Sequence, residues 1–315
     1  AVDLALRDFQ RHGSQASLNV ATATLDRMVA GGIYDRIEGG FFRYSTTRDW
    51  RIPHFEKMLE GNAGLLGNYL RAYQVTGEAR YAAAARDIMR YVDSVLSDQD
   101  QGGFYGSQDA DEAYYALPLS ERRSRPAPAV DTTLYTDWNA MMASAYLLAS
   151  ALLNDERPRR FALRTLDRLW KVAFVGDSMR HYYDGDAHLP ILLSDQVQMG
   201  IALLDAHAHT GHSRYVEQAQ RLAAFCLTAL AEPGGGFADA LLQPDAPGSL
   251  SRPVVALPAN SAAARFLTRL AWLTGEDAYR VAAQRTLARF ADVYDRLGYF
   301  AAPYALAVDE LLQPP

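Results

Sequence analysis

The chain has 315 residues, 49% of them hydrophobic and 22% charged, the balance of a globular protein with ample material for a core. Its formal charge of −6 comes without a basic stripe, which argues against a nucleic-acid partner. A single cysteine, Cys226, excludes an internal disulfide framework and any CxxC redox or zinc motif, and reads as a small buried hydrophobe.

The first residues are helix-like and carry no signal-peptide pattern. The longest apolar run, Ala140 to Leu153, is too short to span a bilayer and contains Ser144 and Ser150, so it reads as a buried helix. A cytoplasmic protein without a membrane partner is the expectation.

One turn recurs along the chain. It appears as "QRHGSQ" at Gly13, "QVTGEARY" at Gly77, "AHTGHSRY" at Gly211 and "WLTGEDAY" at Gly275, with a degenerate copy, "LNDERPRRF", near Pro158. The intervals from Gly13 to Gly77 and from Gly211 to Gly275 are both 64 residues, and the gap between is about two periods. A short turn at this period, flanked by helical patterns, indicates stacked helical hairpins.

The helices before each turn are apolar around most of their circumference: Phe55–Tyr73, Trp138–Leu153 and Ala259–Leu273. Those after it are amphipathic, as in Tyr215, Ala219, Leu222, Phe225, Cys226 and Ala229 at steps of three and four. Enclosed helices alternating with one-sided ones describe an all-α protein, an alpha/alpha toroid of six hairpins with one incomplete around Tyr304 to Leu312. No Pro- or Ser-rich linker divides it, so residues 1–315 read as one domain. The long links, residues 31–54, 97–136, 172–193 and 231–257, are expected together on the face that carries the inner-helix N-termini, where function gathers on a rigid scaffold.

Each inner helix opens on a polar cluster: "PHFEK" at Pro53, "TDWN" at Thr136, "LSDQ" at Leu193 and "PANS" at Pro258. Helix capping accounts for Thr136 and Ser194. It does not account for Trp138 and Asn139, nor for His54 beside Glu56 and Lys57. Polar groups converging on one mouth suit a polyhydroxylated ligand. The loops add Asp109 and Asp111 in "GGFYGSQDAD", and His181, Tyr182 and Tyr183 in "MRHYYDGD". Gly-Gly-Phe recurs at Gly39, Gly102 and Gly235 as a repeated turn. "SQDADE" lacks the full EF-hand spacing, and His207, His209 and His212 do not share a helix face, so neither is read as a metal site. No metal and no cofactor are expected.

The stretches "GGIYDRIEGGFFRYSTTRDWRIPHFEKMLEGNA", "GGFYGSQDAD" and "TDWNAMM" resemble the helical part of the thioredoxin-domain, spermatogenesis-associated protein family. The resemblance spans nearly the whole chain. It implies a sugar-active six-hairpin barrel similar to N-acylglucosamine 2-epimerases and six-hairpin glycosidases. That family commonly has His at the position of Phe42, Glu at that of Gln108 and an aromatic at that of Gln196, and "PANS" is one residue shorter than its usual counterpart. Its N-terminal thioredoxin-like domain, a partner domain in the family, has no match in these residues, so no redox function is expected of this chain.

The function expected is acid–base chemistry on a small sugar or oligosaccharide, of glycoside hydrolase or epimerase/isomerase type. Candidate catalytic residues are His54, Glu56, Asp137 and Asp195. Candidate substrate contacts are Arg43, Tyr44, Trp50, Lys57, Asp109, Asp111, Trp138, Asn139, His181 and Asn260. Hydrolysis needs two carboxyl groups roughly 5 to 10 Å apart across the scissile bond. Epimerisation needs opposed bases, often histidines, for which His54, His181 and His188 are available. An ion pair between Arg43 and Asp109 or Asp111 is the expected structural use of those loops. The alternative function is a non-catalytic sugar-binding or interaction module left from a larger thioredoxin-domain protein.

Overall fold

The computed structural model describes residues 1–242 and 247–313, so part of the link 231–257 lies outside the described residues. The chain divides into two compact units, Val2–Arg168 and Leu169 onward. The N-terminal unit holds α1 (Val2–His12), α2 (Gln15–Ala30), α3 (Leu59–Thr76), α4 (Ala79–Val95), two single turns α5 (Glu112–Tyr115) and α6 (Leu119–Arg122), then α7 (Thr136–Leu153). The boundary falls inside α8 (Glu156–Val172). The C-terminal unit holds α9 (Leu193–Thr210), α10 (Ser213–Phe225), α11 (Leu257–Thr274), α12 (Asp277–Ala288) and α13 (Ala302–Leu312).

The recurrent turn is a left-handed C-cap. Gly77, Gly211 and Gly275 end α3, α9 and α11 at φ of 70°, 71° and 75°, and each N–H donates to the carbonyl four residues back. Positive φ is where glycine loses nothing to a Cβ clash. Asn154 takes the same role after α7 at φ 53°, the substitution best tolerated there.

In the N-terminal unit α3 packs on both α4 and α7; in the C-terminal unit α11 packs on α9, α12 and α13. Helices α3, α7, α9 and α11 bury most of their length, through Leu66, Tyr69 and Leu70 in α3 and Met142, Tyr146 and Leu147 in α7. The partial sixth hairpin at Tyr304–Leu312 is the helix α13.

A second repeat fixes where each of these helices starts. Asn62 accepts from the Phe41 N–H and donates to the carbonyls of Phe41 and Met58. Asn139 does the same with Phe104 and Tyr135, and Asn260 with Phe237 and Ala256. Gln196 repeats it with Met179 and Leu192. In three cases the gripped residue follows a Gly-Gly pair with φ between 74° and 107°. The turn is also packed tightly: a Cβ on Gly39 would lie 2.6 Å from the Asp87 carbonyl oxygen, and one on Gly40 2.5 Å from the Tyr91 ring.

Two local expectations are corrected. The helix foreseen from Phe55 starts at Leu59, because Lys57–Met58 pairs as a strand with Ser107–Gln108, which pairs with Val130–Asp131. Thr136 and Ser194 stand one and two residues inside the first turns of α7 and α9, whose N-cap positions are Tyr135 and Leu192. Among the described residues no helix is long and apolar enough to cross a membrane.

Candidate functional site

In the N-terminal unit, Tyr44–Ser45 pairs antiparallel with Pro53–His54, setting Tyr44 opposite His54. Their rings stack at 5.2 Å. The Arg43 N–H donates to the Glu56 carbonyl at 2.7 Å, which brings the two side chains onto one side of the ribbon. There Arg43 Nη1 donates to Glu56 Oε2 at 2.9 Å, and His54 Nε2 stands 3.6 Å from the same oxygen. One carboxylate therefore serves a guanidinium and an imidazole, both open to solvent.

Glu60, in the first turn of α3, extends this cluster. Its pKa is raised by burial first and by the nearby Asp137 charge second, with Arg43 pulling the other way. Yet its side chain is exposed. Gly61 and Gly64 follow on α3, and a Cβ on either meets nothing within 4 Å. On α7, Asp137 Oδ1 accepts from the Trp138 N–H, and Trp138 lies against Tyr135 with centroids 4.5 Å apart. Arg43, His54 and Glu56 thus form one charged cluster, and Glu60 feels the charges of both Arg43 and Asp137. Glu60 was not among the sequence candidates; an acid in a first helical turn reads as dipole compensation.

In the C-terminal unit, Asp195 is fully buried in the first turn of α9, and His181 Nδ1 lies 3.2 Å from both of its carboxylate oxygens. The His181 ring is 22% exposed, so its edge reaches solvent while the carboxylate orients it. Tyr182 stands edge-on to His181 and stacks on His188, which bonds Asp184 at 2.7 Å.

Several candidates serve the framework instead. Lys57 is wholly buried, donating to Asp35 Oδ2 at 2.7 Å and to the Gly39 carbonyl, with Arg122 on the same Asp35 oxygen. Asn139 and Asn260 are spent on the Phe104 and Phe237 peptides. Asp111 caps α5 through the Tyr114 N–H. Trp50 lies against Gly31 and Gly32 at the end of α2, at φ 63°. Arg43 pairs with Glu56 rather than with Asp109, which is exposed, or with Asp111.

The three departures from the resembled family have structural occupants. Phe42 joins Phe55 and Tyr115 in an aromatic cluster. Gln108 Oε1 accepts from the hydroxyls of Tyr91 and Tyr115. The Lys57 ammonium lies 5.1, 4.2 and 5.1 Å from the Phe42, Tyr91 and Tyr115 rings, so two of the departures gather around one buried cation. Gln196 is the Met179 clamp. Cys226 is buried, its thiol pushed up to about 12 by burial.

Residues 2–125 match the family model of N-acylglucosamine 2-epimerase. Spermatogenesis-associated protein 20 of Mus musculus is 42% identical over 130 residues, which make up 38% of this chain and 16% of that protein. Among solved structures, cellobiose 2-epimerase from Bacillus thermoamylovorans superposes with a TM-score of 0.76 at 11% identity, over 93% of this chain and 74% of that one. A family 76 glycoside hydrolase (mannosidase) from Bacteroides thetaiotaomicron does so at 0.69 and 11% identity, over 94% and 82%. Residues 2–125 are thus similar to the GlcNAc 2-epimerase family, the chain has homologues of the spermatogenesis-associated protein 20 kind, and its mostly helical fold has structural neighbours of the alpha/alpha toroid type.

Proposed function

We propose that this chain processes sugars by proton transfer, epimerising or isomerising a free sugar rather than hydrolysing a glycoside. The observation that carries this reading is a histidine–carboxylate pair in each unit: His54 with Glu56 at 3.6 Å and His181 with Asp195 at 3.2 Å. A carboxylate beside one ring nitrogen favours the tautomer that carries its proton there and stabilises the imidazolium that forms when the ring acts as a base. In epimerisation a base removes the proton from the carbon next to the sugar carbonyl, the C–H electrons form an enediolate, and a proton returns on the opposite face. Arg43, with its planar fork beside Glu56, suits the oxygen on which charge develops. The sugar-epimerase segment and the fold support a sugar as the ligand.

Hydrolysis is the second reading, favoured by Glu60. A carboxyl whose pKa is raised by burial and by Asp137 has the character of a general acid.

The test incubates the protein in D2O with cellobiose, mannose and glucose, and separately with mannan oligosaccharides, followed by NMR. Deuterium at C2 with a change of C2 configuration or carbonyl position supports the first reading. Release of new reducing ends supports the second. Saturable sugar binding with neither product leaves a sugar-binding module.

A further inference from the structure

We infer that the groove between α4 and α8 in the N-terminal unit is a second ligand site, one that takes a phosphate-bearing small molecule. The groove has a volume of about 920 Å³. Five guanidinium groups line it, Arg86 and Arg90 from α4 and Arg157, Arg160 and Arg164 from α8, against two carboxylates, Asp93 and Asp155. This concentration of positive charge stands on a chain of formal charge −6.

The five arginines are not equivalent. Asp155 holds Arg157 through Nε and Nη2, the latter at 2.7 Å, and Asp87 holds Arg90 Nη2 at 2.8 Å. Arg164 donates to the Gln99 carbonyl and covers the Phe161 ring at 5.1 Å. Arg86 and Arg160 have no carboxylate within ion-pair distance among the described residues, so two planar forks face the groove uncommitted. Two forks of this kind match the oxygens of a phosphoryl group bidentately.

The rest of the wall suits the body of such a ligand. Met89, Leu153, Pro158 and Phe161 give an apolar strip. At the other side Asp93 is spent on the buried Tyr146 hydroxyl, from which it accepts at 2.9 Å. The volume lies within the range of small-molecule sites, large enough for a nucleotide. Leu153 stands 16 residues beyond Asp137 on α7, about 24 Å along the axis, so this groove is distinct from the cluster at the start of that helix.

The probe is inorganic pyrophosphate, titrated calorimetrically into the whole chain at low salt, with ADP as a larger second probe. One saturable site is expected, with a Kd that rises with ionic strength. Arg86→Ala combined with Arg160→Ala, both exposed and without ion-pair partners among the described residues, should weaken binding by about tenfold or more while leaving the melting temperature unchanged. Asp155→Asn, which releases Arg157, should tighten it. The site is overturned by absence of heat at millimolar pyrophosphate, or by a double variant that binds as its parent does. Full rescue by lysine at both positions also overturns it, since diffuse charge would then suffice.

Discussion

Asn62 grips the peptide of Phe41 by both ends, accepting from its N–H at 2.8 Å and donating to its carbonyl at 2.9 Å. The second amide proton goes back to the carbonyl of Met58, four residues earlier and just ahead of the helix. One carboxamide thus joins a loop to a helix start without any side-chain cap. The same three bonds recur at Asn139, Gln196 and Asn260. Where Met179 replaces the Gly-Gly-Phe aromatic, the clamp is one methylene longer.

Asn139→Ala is the cleanest test of that clamp. The Asn139 side chain and Phe104 are both fully buried, so the substitution leaves the Phe104 N–H and carbonyl without partners and without water. Each orphaned group costs on the order of 1–3 kcal/mol, and a total loss of about 2–5 kcal/mol is expected in urea unfolding. A loss below about 1 kcal/mol would show that the loop finds other partners.

The Lys57 chamber makes a pH-dependent prediction. Burial pushes the Lys57 ammonium down from 10.5 to about 8 against the pull of Asp35. Burial works the other way on Asp35, but Lys57 and Arg122 hold its carboxyl below the ordinary value. The unfolded lysine keeps its proton up to 10.5, so between pH 8 and 10.5 the unfolded chain binds more protons and the contribution of Lys57 to stability rises with pH. Lys57→Met removes that contribution. The stability of the parent relative to the variant should therefore rise from pH 7 to pH ~9.5 in urea melts. Asp35→Asn, which leaves Lys57 and Arg122 buried without their shared carboxylate, should cost about 3–5 kcal/mol at pH 7.

Glu60 and Asp137 are coupled through charge. Asp137→Asn removes the second cause of the raised Glu60 pKa and leaves burial, so the Glu60 carboxyl should titrate lower in the variant, read by carbon NMR of the side chain. A raised carboxyl pKa means that folding disfavours the charged form, so its contribution to stability falls as pH rises through the window above 4.5. That window should narrow in Asp137→Asn. An unmoved Glu60 titration would separate the two residues.

What could be read from the chain divides by range. The left-handed turns at Gly77, Gly211 and Gly275 were legible because φ near 70° demands glycine locally. Gly-Gly-Phe was legible as a turn for the same reason. Its partner was not: Asn139 and Asn260 sat among polar residues and read as ligand contacts, because sequence does not reveal whether a carboxamide turns inward or outward. The start of α3 was misplaced because the bonds that keep Lys57–Met58 extended come from Ser107–Gln108, far along the chain. Glu60 was missed because its burial and the nearness of the Asp137 charge are tertiary properties.

Glu56 separates an enzyme from a binding module. Its pair with Arg43 is partly exposed, 21% on the Glu56 side and 49% on the Arg43 side, so the ion pair contributes no more than about 1 kcal/mol to stability. Glu56→Gln keeps the shape and one acceptor oxygen, and its melting temperature should stay close to that of the parent. If Glu56 orients His54 and holds Arg43 toward the reacting sugar, turnover should fall by about 10²-fold or more with sugar binding retained, the usual effect of disabling a positioned proton-transfer group. Arg43→Ala should lower turnover too, whereas a role confined to tying the ribbon would move only the melt. Calorimetric sugar binding, thermal melts and single-turnover rates on the same preparations distinguish these outcomes. Unchanged turnover in folded Glu56→Gln would remove Glu56 from the chemistry and leave Glu60 and Asp137 as the acids to test next.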